Sequence, residues 1–440
     1  MADVQPFRGL RYNLEQIENL SSVITPPYDV ISPAQQNEYY RKNPYNFIRI
    51  EFGKAYPDDT QDQNKYTRAV KTLTEWMQRG ILIREERPAF YLVEQRFPHR
   101  DGYKSSWGLT AAVRLEELGA GRILPTERTM GAPIQDRLSL LRACRANPSP
   151  VMGVFEHEKG NLLSLFPDIT SGVPSATALD DFGVSFKVWI VNDETIIRRI
   201  CDFFADREIC IADGHHRYTT ALAYRNEMAA YSSSGDEAYN YVMMTLISSG
   251  DTGLALFPVH RLVKNIDPSV VAGLRDELSR HFHIQELSPV ASDASANLAS
   301  WTKTLENAGM GDTAFGVYGL AGDKFWLLTA KDESSLRETL PKDKPAPWRK
   351  LDVSLLHWGI LQGMLGIDSP EKENECLQYS SEGVKVLREV DEGTSQLAFF
   401  LNPVPGPDFL AVAYSGAGMP PKSTYFYPKT PAGLVINPLF

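Results

Sequence analysis

The chain has 440 residues, 43% of them hydrophobic and 23% charged, an ordinary globular composition with material for roughly two to four domains. A formal net charge of −10 argues against a nucleic-acid partner, which a basic face would announce. There is no run of about 20 apolar residues and no basic-then-apolar order at residues 1–7, so neither a membrane span nor a signal peptide is expected.

The first conspicuous segment is Thr25-Pro-Pro-Tyr-Asp-Val-Ile-Ser-Pro33, whose prolines impose extended geometry before Ser32 and Pro33 open a helix running to residue 42. A second helix is expected over 62–80, with Tyr66, Val70, Leu73 and Met77 on one face and Gly80 as its cap. Residues 89–115 read as a β-hairpin turning at 99–102. A short loop of mixed chemistry follows at 123–129, then a helix over 135–147 with Leu138, Leu141 and Ala143 inward. Residues 187–191 form a strand, and Asn192 or Asp193 caps a helix to residue 205.

A strand at 208–212 then leads through a polar turn to a helix expected over 218–228, with another strand at 241–247. Residues 268–345 mix helical and strand signals, and 288–297 read as an exposed loop or short helix. Residues 351–365 form an apolar helix, while 416–440 are rich in proline, lysine and aromatics with little helical pattern. The mixture is α+β, without the strand–helix alternation of a doubly wound sheet.

The turn Asp213-Gly214-His215-His216-Arg217 carries the strongest chemistry. It places a carboxylate, two imidazoles and a guanidinium between an apolar strand and a helix start, where unpaired N–H groups and the positive dipole end favour an anion. Gly214 permits positive φ or close approach, Arg217 offers a fork for phosphate, and His215 or His216 can donate or relay a proton. Asp213 can hold Mg²⁺ through an oxygen, as nucleotide-bound divalent metals require. A strand-to-helix turn with an Asp cap and solvated histidines is the plainer alternative.

Other candidates are weaker on local evidence. Glu127 in Pro125-Thr126-Glu127 reads alone as a surface carboxylate. Lys422, Ser423 and Thr424 offer an ammonium and hydroxyls to an anion, or belong to an extended tail packed on the body. Arg261 is an anion contact or a strand end, and Asp136-Arg137 a helix-start pair. The 4 cysteines form no Cys-x-x-Cys pair, which fits free thiols in a cytoplasmic protein. Gly-x-Ser-x-Gly, His-Glu-x-x-His and Gly-x-Gly-x-x-Gly are all absent.

Four segments together resemble a widespread prokaryotic family known as a domain of unknown function: Thr25–Ile31, Asp136–Arg142, Ile211–Tyr218 and Met419–Lys429. The order Pro125-Thr126-Glu127, then Asp213–Arg217, then Pro421-Lys422-Ser423-Thr424 also resembles the free serine kinase branch of the ParB/sulfiredoxin-like superfamily. That resemblance implies a ParB/sulfiredoxin-like nucleotide-binding core over 105–265. An N-terminal α/β region (1–104) and a C-terminal α/β region (266–440) flank it, and the tail of the latter returns Lys422 to the turn.

The resemblance implies phosphorylation of a small hydroxyl compound, free L-serine foremost, by ADP or ATP with Mg²⁺. Glu127 becomes the base. Asp213 shares the catalytic role, and Gly214, His215, His216 and Arg217 hold the phosphates. Lys422, Ser423, Thr424 and Arg261 contact substrate. Thr126 departs from the pattern, since that branch has histidine there. The alternative is a ParB-like protein that binds or hydrolyses a nucleotide for regulation. Sulfiredoxin-like redox chemistry would need a cysteine where a histidine stands.

Overall fold

The computed structural model describes residues 2–99, 102–127, 131–156, 162–166, 168–230, 235–320 and 324–440. The chain divides into two units, Met1–Ala255 with Pro428–Phe440, and Leu256–Tyr427.

Among the described residues the first unit has a nine-stranded mixed sheet. Its strands are β1 (Val4–Gln5), β2 (Phe90–His99), β3 (Gly102–Arg114), β4 (Ile123–Leu124), β5 (Val151–Phe155), β6 (Ala176–Leu179), β7 (Ser185–Val191), β8 (Ile209–Asp213) and β9 (Tyr241–Ser248). They run in the order β4-β8-β5-β9-β3-β2-β7-β6, with β1 beside β3. Only β8–β4 and β9–β5 pair in parallel. The expected hairpin is β2–β3, in the register Leu92↔Leu109, and residue 104 lies inside β3. β5 and β9 are buried almost throughout because both faces of the sheet are covered there.

The helices of this unit are α1 (Pro33–Lys42), α2 (Lys65–Gln78), α3 (Gly131–Cys144), α4 (Glu194–Ala205) and α5 (His215–Met228). Local capping fixes three of their starts. Ser32 and Gln35 form a capping box, the Asn64 side chain accepts from Tyr66 N and Thr67 N, and Asp193 accepts from Thr195 N and Ile196 N. α3 packs on α2 and α5. Leu138, Leu141, Ile200, Phe204, Tyr218 and Leu222 join Phe90, Leu109, Val151, Phe155, Ile209 and Ile211 in one core. Each such large side chain contributes roughly 1.5–3 kcal/mol by leaving water.

Several boundaries differ from the sequence reading, among them the start of α3, at Gly131 rather than residue 135. α3 ends at Cys144, because Arg145 turns to φ 48° and Ala146–Asn147 pairs with Asn437–Pro438. α5 begins at His215 rather than Tyr218, so both histidines and Arg217 belong to its first turn.

The C-terminal residues of this unit run along its body as a strap. Thr25 bridges Ala432, Leu10 bridges Ile436, and Leu439 N donates to Arg145 O. That path brings Lys429 to the end of β8.

The second unit has a six-stranded antiparallel sheet among its described residues. Its strands are β10 (His260–Val263), β11 (Phe282–Leu287), β12 (Ala314–Tyr318), β13 (Phe325–Ala330), β14 (Leu377–Ser380) and β15 (Leu397–Phe400), in the order β11-β13-β12-β15-β10-β14. Its helices include α6 (Pro268–His281), α7 (Ala294–Gly309), α8 (Glu333–Arg337), α9 (Ala346–Lys350) and α10 (Gly383–Asp391). Trp301, Leu305, Phe325, Leu327, Val386, Leu387 and Phe400 form its core. The apolar helix expected over 351–365 is one α turn, Asp352–Leu355, followed by π-helix over Leu356–Gln362.

Candidate functional site

β8 is apolar and buried until its last residue, where a register irregularity between Ile211 and Asp213 turns the strand. Such bulges re-aim a side chain at a strand end. Gly214 follows at φ 88°, and a Cβ there would lie 2.8 Å from Arg217 Nε, so only glycine fits without strain. α5 then starts with no side-chain cap and no acidic residue in its first turn. Its leading N–H groups and dipole therefore have no carboxylate cap of their own.

His215 is buried, and its Nε2 accepts from Thr126 N and Glu127 N, each at 3.1 Å. An atom that accepts twice bears no proton, so the proton sits on Nδ1. Burial pushes the imidazole down to about 4, against the opposing pull of the Asp213 charge, so the ring is neutral at physiological pH. Nδ1 stands 4.0 Å from Glu127 Oε2. Thr126 Oγ1 meanwhile donates to Ile211 O at 2.7 Å. The loop carrying Glu127 is thus fixed to both β8 and α5. Glu127 itself is one-third exposed.

Asp213 sits between two cations. Its Oδ1 is 2.8 Å from Lys429 Nζ, and its Oδ2 accepts from Arg217 Nη2. Burial opposes the charged form of Asp213, but the Lys429 ammonium and the Arg217 guanidinium outweigh it and hold the carboxyl far below the usual range. Lys429 Nζ also pairs with Asp29 Oδ2 at 2.7 Å. Burial alone would lower the Lys429 ammonium, yet Asp213 and Asp29 raise it well above its ordinary value. Arg217 Nη1 donates to Pro150 O. Pro27, Pro150, Val151, Met152 and Thr430 close the space around these three groups to about 10 Å³, about one water molecule.

A second layer holds the Pro-Pro-Tyr-Asp segment in place. The Arg137 guanidinium lies 4.0 Å over the Tyr28 ring and donates through Nη1 to Glu51 O. Tyr28 N and Ser149 Oγ both donate to Glu51 Oε1. Asp136 accepts from Lys65, Tyr66 and Arg137, so it braces α2 against α3 from the interior of the helix rather than opening it.

The first unit therefore brings together Glu127, Asp213, Gly214, His215 and Arg217. His216 lies in the same helical turn, half-buried. Arg261, Lys422, Ser423 and Thr424 belong to the second unit. There, Arg261 is buried and donates to Val259 O at 2.5 Å and Pro421 O at 3.2 Å, with its guanidinium 4.9 Å from the Tyr379 ring. Burial pulls it down to about 10. Ser423 is buried and its hydroxyl donates to Pro420 O, while Lys422 is exposed at φ 53°.

The residues do not suit the Mg²⁺ site expected at Asp213. Both its oxygens are engaged by protein cations, and the described residues hold no cluster of three or more His, Cys, Asp or Glu able to hold a metal. Asp29, Thr126 and Lys429 were missed as site residues, although each lies in a segment the sequence singled out. Among the described residues no helix is long and apolar enough to cross a membrane.

The model of the family described as "Protein of unknown function (DUF1015)" matches residues 4–354. No curated protein matches the sequence. Solved structures similar to the chain include a conserved hypothetical protein from Pyrococcus furiosus, 13% identical, TM-score 0.34, covering 72% of this chain and 94% of that one. A free serine kinase in complex with AMP is 11% identical, TM-score 0.32, covering 71% and 92%. SbnI with a C-terminal truncation from Staphylococcus aureus is 11% identical, TM-score 0.33, covering 73% and 84%. Likenesses this slight carry no argument about activity.

Proposed function

The chain belongs to the DUF1015 family, and we propose that it is a phosphotransferase that moves a phosphoryl group from ADP or ATP to a small hydroxyl compound, free L-serine first among them. The observation that carries this reading is the one-third-exposed Glu127 carboxylate, 4.0 Å from His215 Nδ1 at the uncapped start of α5. A base, an anion-binding helix start and two cations are what phosphoryl transfer needs from a protein. The nucleotide donor, the serine acceptor and the ParB/sulfiredoxin-like core over 105–265 rest on the motif resemblance, as does a cytoplasmic location.

In this reading Glu127 takes the proton of the acceptor hydroxyl. The freed oxygen forms the new P–O bond as the bond to the departing nucleotide phosphate breaks. The first N–H groups of α5 bind phosphate oxygens, and Arg217 and Lys429 offset their charge. Asp213 keeps the two cations poised. His215, neutral and pinned to the Glu127 loop, is a positioning residue.

The tightness of the Lys429–Asp213–Arg217 cluster favours one second reading, a nucleotide-sensing regulator in which phosphate oxygens displace Asp213 from its cations without transfer. One experiment separates the two. The full chain is incubated with ATP or ADP, Mg²⁺ and a panel of hydroxy amino acids, and products are read by mass. A phosphorylated acceptor is expected. Nucleotide binding without any phosphorylated acceptor would overturn the kinase reading.

A further inference from the structure

Two proline-containing segments, 26–29 and 148–150, meet at the Lys429–Asp213–Arg217 cluster, where Pro27 and Pro150 both line the enclosed space. Each segment hands one group to a cation. Asp29 Oδ2 is 2.7 Å from Lys429 Nζ, and Pro150 O accepts from Arg217 Nη1. The spacing of the segments therefore bears on the spacing of the cations. Backbone pairing does not set it. Pro26, Pro27, Pro148 and Pro150 have no N–H to donate, and no backbone hydrogen bond joins the two segments.

The Glu51 side chain joins them instead. Its Oε1 accepts from Tyr28 N at 3.2 Å and from Ser149 Oγ at 2.9 Å. Tyr28 directly precedes Asp29, and Ser149 directly precedes Pro150. Glu51 is itself firmly placed. It is fully buried and ends a one-turn helix, Ile48–Glu51. Buried Asn46 fixes the start of that turn, donating to Ser22 O and Ile24 O and accepting from Ile48 N. Arg137 Nη1 donates to Glu51 O at 2.7 Å and fixes its end.

Stability does not explain an acidic residue here. Glu51 Oε2 is buried with no hydrogen-bond partner among the described residues. A polar group left half-paired in the interior is costly, and a well-packed apolar side chain would serve the fold better. An apolar side chain cannot accept from both segments.

We propose that Glu51 is a positioning residue that sets the spacing of Lys429 and Arg217 beside the start of α5. Its bearing on phosphate rests on the phosphotransfer reading, and its bearing on the cations does not. A displacement of about 1 Å at such a site can cost about 10²-fold in rate.

Two measurements on the full chain at pH 7 test this. One is proton exchange of the Lys429 ammonium by nitrogen NMR, the signal being identified by its absence in Lys429→Arg. The other is ADP affinity by calorimetry. Glu51→Ala should speed the exchange and weaken ADP, each by at least about tenfold. Glu51→Gln keeps an acceptor oxygen and should recover most of both losses. A role in packing alone would lower the melting temperature and move neither readout in the folded protein. If Glu51→Ala does not fold, Ser149→Ala, which cuts one arm, decides by the same readouts, with a loss of about threefold expected. Parent-like exchange or parent-like ADP affinity in the folded variant would overturn the proposal, as would Glu51→Gln proving as damaging as Glu51→Ala. Faster Lys429 exchange in a protein whose parent binds no ADP would uphold the spacing role and overturn the phosphotransfer reading alone.

Discussion

Glu127 Oε2 stands 4.0 Å from Nδ1 of His215, and the same histidine accepts the backbone N–H of Glu127 through Nε2. One neutral imidazole therefore ties the carboxylate loop to the first turn of α5. The consequences of that tie, and of the charge cluster beside it, can be measured.

His215 should make folding stability fall with acid. Its folded pKa, about 4, lies below the ordinary 6.5, so the unfolded chain binds the extra proton between those values. The contribution is fully present above about 6.5 and is lost as pH drops toward 4, amounting to about 3 kcal/mol. His260 and His357, pushed down by burial to about 3 and about 4, slope the same way. Denaturation across that pH range should thus show His215→Gln with a shallower slope than the parent but not a flat one. Nitrogen NMR should find His215 in the Nδ1–H form at pH 7. A protonated ring there would contradict the assignment.

Lys429→Met should be strongly destabilising. It leaves Asp213 and Asp29 without the ammonium between them, and breaking a mostly buried pair costs about 3 kcal/mol. Adding Asp213→Asn should recover much of that loss, because the stranded charge is gone. Chemical denaturation of the two variants reads the coupling directly.

Gly214→Ala combines a left-handed φ of 88° with a Cβ 2.8 Å from Arg217 Nε. The expected loss is about 1–3 kcal/mol, together with weaker nucleotide binding as Arg217 is displaced. Unchanged melting and affinity would show that the turn relaxes freely.

How far the sequence reached depends on how local each determinant is. Ser32, Asn64 and Asp193 cap their helices with atoms two or three residues away, so those starts were readable to within a few residues. The start of α5 was not, because no side chain caps it and its first three residues look like a polar turn. Lys429 was hidden for a different reason. Its partners Asp29 and Asp213 are distant in sequence and meet it only because the C-terminal strap runs past Thr25. Lys422 stood out in the sequence because an ammonium beside two hydroxyls is a local pattern. Likewise Ala146–Asn147 read as helix until its partner, Asn437–Pro438, is in view.

Thr126→Val keeps the shape of a buried side chain but removes the hydroxyl that donates to Ile211 O. A stability loss of about 1 kcal/mol is expected. If the hydroxyl positions the base, kcat should fall by about tenfold while nucleotide affinity barely moves. Equal losses in both would mean that the loop serves nucleotide binding instead.

The most direct test is a paired measurement on Glu127→Gln, comparing turnover of the phosphorylated product with nucleotide affinity. The substitution keeps the size and the backbone N–H bond to His215 and removes only the proton acceptor. A general base contributes about 10²–10⁴-fold, so turnover should drop by that much with nucleotide affinity within about threefold of the parent. Turnover that survives the substitution intact would contradict the assignment of Glu127 as the base.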